Sequence, residues 1–284
     1  MIFKSLITRI FRIFNSLKYK KRIDLHFFFP RVKSFLPSKE NTAIVSVLND
    51  DFVDYFIKFS QSIKKHNKDF DYNWYIFYNS DISPLSDISK EKILKIYANV
   101  VFRNVDTIEY IRFKSLIPSN LFPSILKLDL FKLGKYKKIL CLDVDTLCLG
   151  SLDFLLTKDF TFAAAQAGSV DNYSDFLINS KQFKRGLPFN AGILVFGEKV
   201  IQDKNILPTL LRYDQYAETA EQTLYNDYFR FYPVYILPLE YNFFADRLYE
   251  HFKDHKVKIL HFTGPKPHNQ PEIPLADLWL DFKE

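Results

Sequence analysis

Between Asn41 and Leu149, apolar runs of strand length alternate with stretches of helical periodicity, and that alternation admits few architectures. Residues 43–48, 74–78, 99–102 and 139–149 read as buried strands, closed by turn signals such as Asn49-Asp50-Asp51 and Asn79-Ser80-Asp81. Residues 52–66, 88–97 and 125–133 read as helices. In the first of them Val53, Phe56, Ile57, Phe59 and Ile63 form one apolar stripe. A β-α-β-α order predicts an α/β fold with a mostly parallel sheet covered on both faces. Ligands bind such sheets beyond the carboxyl ends of the strands, which is where Asn49, Asp50, Asp143 and Asp145 fall.

The last of these runs, Ile139 to Leu149, carries two carboxylates where its apolar character breaks, with Gly150 close behind. Residues two apart share one face of a strand, so Asp143 and Asp145 are predicted to point at one ligand. Paired carboxylates at a sheet edge suit a hard divalent cation, and a diphosphate is the natural partner of that cation. A second Asp-x-Asp, Asp69-Phe70-Asp71, follows Lys64, Lys65 and Lys68 and reads as solvated loop. Cys141 and Cys148 have neither metal-ligand spacing nor the number of a disulfide framework, which points to a reducing compartment.

The net charge of +6 is unevenly spread. Residues 1–22 hold Lys4, Arg9, Arg12, Lys18, Lys20, Lys21 and Arg22 and no acid, so the remainder of the chain is close to neutral. That argues against a nucleic-acid-binding face. In the same segment Ile2, Phe3, Leu6, Ile7, Ile10, Phe11, Phe14 and Leu17 make a wide helical stripe. No run reaches the roughly 20 apolar residues that span a bilayer. A basic amphipathic helix lying on an anionic membrane surface is expected, with the protein peripheral to the cytoplasmic face of the plasma membrane. Residues 1–40 are then an N-terminal helix and linker, 41–268 the main domain and 269–284 a tail.

Three later segments belong with the carboxylates. Phe189-Asn190-Ala191-Gly192 leads a strand, where small residues are expected to let a ligand approach the backbone. Glu221-Gln222 opens a helix with Asn226 one turn on, and His261-Phe262-Thr263-Gly264-Pro265-Lys266 follows another strand. With Lys127 sixteen residues before Asp143, and with Leu142-Asp143-Val144-Asp145-Thr146, these pieces resemble glycosyltransferase family eight in their order. The resemblance runs from about Ala43 to Lys266. It implies a GT-A nucleotide-sugar-binding fold, a UDP-sugar donor, a manganese ion (magnesium being the alternative), and transfer of a hexose with retention at the anomeric carbon. The implied acceptor is an oligosaccharide or lipid-linked glycan, such as lipopolysaccharide or capsule.

By that resemblance Asp143, Asp145 and His261 would ligate the metal, and an imidazole in the set favours manganese over magnesium. Lys127 and Lys266 would hold the diphosphate, with the Gly264 amide close to it. Ser46 and Asn49 would read uracil and ribose, and Asn190 and Gln222 would bind the donor sugar. Gln222 would stabilise charge on the sugar ring through its amide oxygen, and Glu221 is the candidate nucleophile if a covalent intermediate forms. The chain departs from the family at several positions. Glu221 stands for an aspartate, Phe52 for the tyrosine that stacks on uracil, and His268 for a tryptophan. Ala164-Ala165-Gln166-Ala167 lacks a sugar-gripping aspartate. Two rival readings are a catalytically inactive nucleotide-sugar-binding module and a haloacid-dehalogenase-like phosphatase. The latter is disfavoured because Thr146 follows Asp143 by three residues rather than four.

Overall fold

Strand β1 (Thr42–Val47) turns Ile44 to one face of the sheet and Ala43 and Val45 to the other, and both faces are buried. This period of two repeats through the neighbouring strands and produces two cores, one on each side. The computed structural model describes residues 39–167, 183–184 and 188–282; the basic amphipathic segment 1–22 lies outside the described residues.

The other strands are β2 (Asn73–Tyr78), β3 (Val100–Asn104), β4 (Lys138–Leu142), β5 (Thr146–Cys148), β6 (Phe162–Gln166), β7 (Phe183–Lys184), β8 (Phe189–Gly197), β9 (Val234–Ile236), β10 (Phe243–Phe244) and β11 (Ile259–His261). Eight of them form one sheet in the order β3-β2-β1-β4-β8-β6-β9-β7. The β3-β2-β1-β4 half is parallel throughout, as the alternation predicts. Beyond β4 the long strand β8 runs antiparallel to both β4 and β6. A second sheet, β10-β11-β5, stands beside it.

Helices α1 (Val53–His66) and α2 (Asp87–Ile96) follow β1 and β2, close to their expected bounds. Phe56, Phe59 and Ile63 of α1 enter the Ile44 core together with Trp74. Ser86 caps α2 by accepting from the Ser89 N–H. The expected helix at 125–133 is instead a 3-10 segment, Phe122–Lys132, that starts with Pro123 in its first turn. Among the described residues the next helices are α3 (Asp153–Thr157), α4 (Glu198–Ile201), α5 (Ile206–Leu210) and the longer α6 (Glu221–Phe229). Leu224, Tyr225 and Phe229 of α6 fill the second core.

Two expectations change in detail. The apolar run 139–149 is not one strand: it leaves the large sheet after Leu142, and β5 joins the small sheet antiparallel to β11. The break lies at Asp143-Val144-Asp145, whose charged side chains have no place in a ladder buried on both faces. The stretch 269–284, expected as a tail, contains helix α7 (Ala276–Leu280), and its Trp279 packs on Tyr55 of α1 with ring centroids 5.0 Å apart. Among the described residues no helix is long and apolar enough to cross a membrane.

Candidate active site

Strand ends at one edge of the large sheet supply the candidate residues: Asn49 beyond β1, Asp143 beyond β4 and Asn190 at the start of β8. The Asp143 N–H donates to the Gly192 carbonyl at 2.8 Å, and Thr146 Oγ1 donates to the Asp143 carbonyl at 2.7 Å, which holds the turn between the two sheets. On its far side the Phe262 N–H donates to the Asp145 carbonyl at 3.0 Å. Register pairs His261 with Thr146, so the imidazole arrives beside Asp145. Ligand atoms of Asp143, Asp145 and His261 all lie within 4.8 Å of one another, with His261 Nε2 3.3 Å from Asp145 Oδ1.

Glycine at 192 is required by this packing. A Cβ there would stand 2.3 Å from His261 Cε1 and 2.8 Å from Nδ1. The small residue in Asn-Ala-Gly thus makes room for a histidine of the site; the expectation had been room for a ligand.

Lysines neutralise the carboxylates. Lys127, 4 % exposed, places Nζ 2.7 Å from both Asp143 Oδ1 and Glu221 Oε1. Burial opposes its charge, yet those two carboxylates hold its pKa well above the ordinary lysine value. Burial also pushes the Asp143 carboxyl up, with Lys127 opposing that rise. For Asp145 burial works in the same direction, but His261 and Lys266 outweigh it and hold this carboxyl well below the usual range. Lys266 Nζ is 2.5 Å from Asp145 Oδ2 and 2.5 Å from the Phe262 carbonyl.

Three carboxylates against two lysines leave about one unit of negative charge beside an imidazole. That donor set, two carboxylates and one nitrogen, fits a divalent cation of the manganese type. Asn242 lies behind His261, with its Oδ1 2.7 Å from Nδ1.

Amides organise the neighbouring strand. Asn190 Oδ1 accepts from the Gly192 N–H at 2.8 Å and from Asn242 Nδ2 at 2.9 Å, while Asn190 Nδ2 donates to Gln222 Oε1 at 3.2 Å. Gln222 Oε1 also accepts from the Ala191 N–H at 2.9 Å. That oxygen, expected to face the sugar ring, is therefore engaged with the protein. Asn226 is a clamp: its amide accepts from the Phe189 N–H and donates to the Phe189 and Gln222 carbonyls, each at 2.8 or 2.9 Å. Ala220, just before α6, has φ 50 and ψ −127, a strained conformation for a residue with a Cβ that aims Glu221 and Gln222.

The structure does not bring Ser46 into this group. Ser46 is fully buried; its hydroxyl donates to the Leu142 carbonyl at 2.6 Å and accepts from Trp74 Nε1 at 3.0 Å, because alternation sends it into a core. Asn49 lies at the edge, with Oδ1 buried and without a hydrogen-bond partner among the described residues. Gly264 is exposed in the turn before Lys266 and borders Asp246. Phe52 packs on Tyr55, whose hydroxyl hydrogen-bonds His268 Nδ1. The control pair Asp69 and Asp71 is exposed. Sequence reasoning missed Asn242, which sits in no motif, and the cleft of about 410 Å³ beside α6, bordered by Phe189, Tyr213, Gln222, Thr223 and Arg230.

Known proteins resemble this chain in sequence and in fold. The sequence profile of glycosyl transferase family 8 matches residues 43–270. Human (Homo sapiens) glycogenin-2 is 26% identical over 196 residues, covering 65% of this chain and 36% of that protein, so the chain spans about a third of this relative's length. The galactosyltransferase LgtC, crystallised with donor and acceptor sugar analogs, superposes with a TM-score of 0.65 at 19% identity, over 84% of this chain and 94% of LgtC. The glycosyltransferase GlyE of Streptococcus pneumoniae TIGR4 gives 0.60 at 20% identity, over 84% and 60%. Likeness at these identities shows a shared GT-A fold.

Proposed function

This chain belongs to glycosyl transferase family 8 and is a glycosyltransferase, and from that premise we propose that it moves a hexose from a UDP-sugar to a glycan acceptor, with a divalent metal and retention at the anomeric carbon. The observation that carries the reading is the convergence of Asp143, Asp145 and His261 in a pocket of residual negative charge. These three residues would hold the metal, manganese by the nitrogen in the set. When bound, it supplies Lewis-acid neutralisation of the charge that builds on a departing diphosphate, an effect worth several kcal/mol.

The chain's own groups do the remaining work. Lys266, which among the described residues pairs with Asp145 and the Phe262 carbonyl, is the cation for the diphosphate, with the Gly264 amide beside it. Lys127 is committed to Asp143 and Glu221, so its role is to keep those carboxylates charged and placed. Asn49 offers uracil a buried acceptor without a partner among the described residues, and Phe52 offers a ring to stack on the base. Asn190 and Gln222 position the donor sugar, and the acceptor enters by the cleft beside α6. Retention by front-face attack, with the leaving phosphate as base, is favoured because Glu221 is 4 % exposed and locked to Lys127. A nucleophile needs a freer carboxylate.

Calorimetry with UDP and Mn2+, followed by UDP-release assays over a panel of UDP-sugars, tests this reading. Tight UDP binding that disappears with chelator is expected; UDP affinity indifferent to metal would refute it. The family assignment sets aside the phosphatase alternative. For residues 1–22 we propose attachment to the anionic inner membrane surface, near a lipid-linked or lipopolysaccharide acceptor. Full-length protein is expected to bind anionic vesicles at low salt and to lose them as salt rises. Indifference to such vesicles would remove the membrane proposal alone.

A further inference from the structure

Three side-chain amides form an unbroken chain from α6 to the imidazole: Gln222, Asn190, Asn242, then His261. An amide's oxygen and nitrogen are interchangeable in shape, so a chain of amides alone has two orientations. Here two backbone N–H groups, which only donate, remove that freedom. The Gly192 N–H lies 2.8 Å from Asn190 Oδ1, so that atom must be oxygen. The Ala191 N–H lies 2.9 Å from Gln222 Oε1, which must be oxygen too and so must face the Asn190 nitrogen. Both demands agree. Asn242 then has to present its nitrogen to Asn190 Oδ1, since the reverse would set two oxygens 2.9 Å apart. Its own oxygen is left facing His261 Nδ1 at 2.7 Å, and that nitrogen has to carry a proton.

We infer that Asn242 is a positioning residue that holds His261 with the proton on Nδ1 and leaves Nε2 as the atom offered to a divalent cation, the choice being dictated from β8 by the Gly192 and Ala191 N–H groups. Asn242 is wholly buried between the turn Leu239–Tyr241 and β10, and β10 pairs with the strand carrying His261, so the amide cannot swing away. The ring in turn is wedged against Gly192. The relay also links the sugar-side helix to the metal side: Gln222 and His261 are joined through the half-buried Asn190 and the buried Asn242. The inference rests on the reading of His261 as a metal ligand, and its test separates the two.

The decisive measurement is a long-range 15N–1H spectrum of histidine-labelled full-length protein, with the His261 signals assigned by their absence in His261→Gln. A proton on Nδ1, with the Nε2 resonance moving when Mg2+ is added, is expected. A proton on Nε2 with bare Nδ1 overturns the proposal. Calorimetry with Mn2+ alone gives the second arm. Asn242→Leu is expected to weaken Mn2+ affinity 10- to 100-fold, the usual loss for an outer-shell partner. In the same 15N–1H spectrum, Asn242→Leu removes the acceptor from Nδ1, and the proton of neutral His261 is expected to move toward Nε2. If the proton stays on Nδ1 in Asn242→Leu, Asn242 acts by packing and the proposal falls. Should wild-type protein bind no Mn2+, the metal reading of the site fails, while the proton position still decides this one.

Discussion

Two charge clusters, each built around a buried side chain, flank the same 3-10 segment, and they are built for opposite ends. On one side Asp129, 1 % exposed, meets Arg103 at 2.5 Å, Lys132 at 2.9 Å and the Tyr110 hydroxyl at 2.9 Å, with Glu109 completing the group. Two acids face two bases, and besides the Lys132–Asp129 pair within the segment the bonds tie it to Arg103 of β3 and to Glu109 and Tyr110. On the other side Lys127 and Lys266 face Asp143, Asp145 and Glu221, so one negative charge remains, beside an imidazole and at a strand edge. Both clusters satisfy the rule that buried charges are paired. The difference in charge balance is what separates a brace from a site able to take a cation.

Asp145→Asn attacks that difference most directly. Mn2+-dependent UDP binding is expected to vanish in calorimetry while the circular dichroism spectrum and melting remain near wild type. If UDP affinity holds, the second cluster is only another brace. Asp129→Ala should do the reverse. Breaking a buried pair costs about 3 kcal/mol at the low end of its range, apt here because Arg103 and Lys132 are each a third exposed. Urea unfolding should show that loss, with Mn2+–UDP affinity unchanged in the protein that remains folded.

Gly192→Ala sharpens the comparison within the site. The added Cβ displaces the His261 ring, and Mn2+ affinity is expected to drop on the order of 10- to 100-fold, as for other losses of ligand support. Wild-type Mn2+ affinity in this variant would show that His261 is not where the cation binds. Gln222→Ala should have the smallest effect. Because its amide oxygen serves Ala191 and Asn190, Gln222 acts on the sugar through placement, and kcat should fall on the order of tenfold with donor KM nearly unchanged. A rise in KM at constant kcat would instead make Gln222 a simple donor-binding residue.

How much of this was legible beforehand depends on the range of the interaction. The parallel half of the sheet and helices α1 and α2 follow from local periodicity, which reports burial directly. The antiparallel insertion of β8 does not, since β8 reads as an apolar strand in either direction. Lys127 illustrates the same limit in the site. Its position before Asp143 was readable, but its division between Asp143 and Glu221 depends on a residue 94 positions away. Ser46 was misplaced because a strand end offers two faces, and only the packing of Trp74 says which one is core.

By itself, the sequence determined the element order, the residue types at the ligand edge and, through Asp143, Asp145 and His261, the chemistry that edge can support. Those are properties of side chains and of periods two and 3.6, which the chain carries wherever it goes. Tertiary structure alone decided which atoms of those residues face one another. It broke the 139–149 run into two sheets, set Gly192 under the imidazole and closed the amide relay through Asn242. Hydrogen-bond direction is a relation between atoms brought together from distant parts of the chain, and no local pattern encodes it.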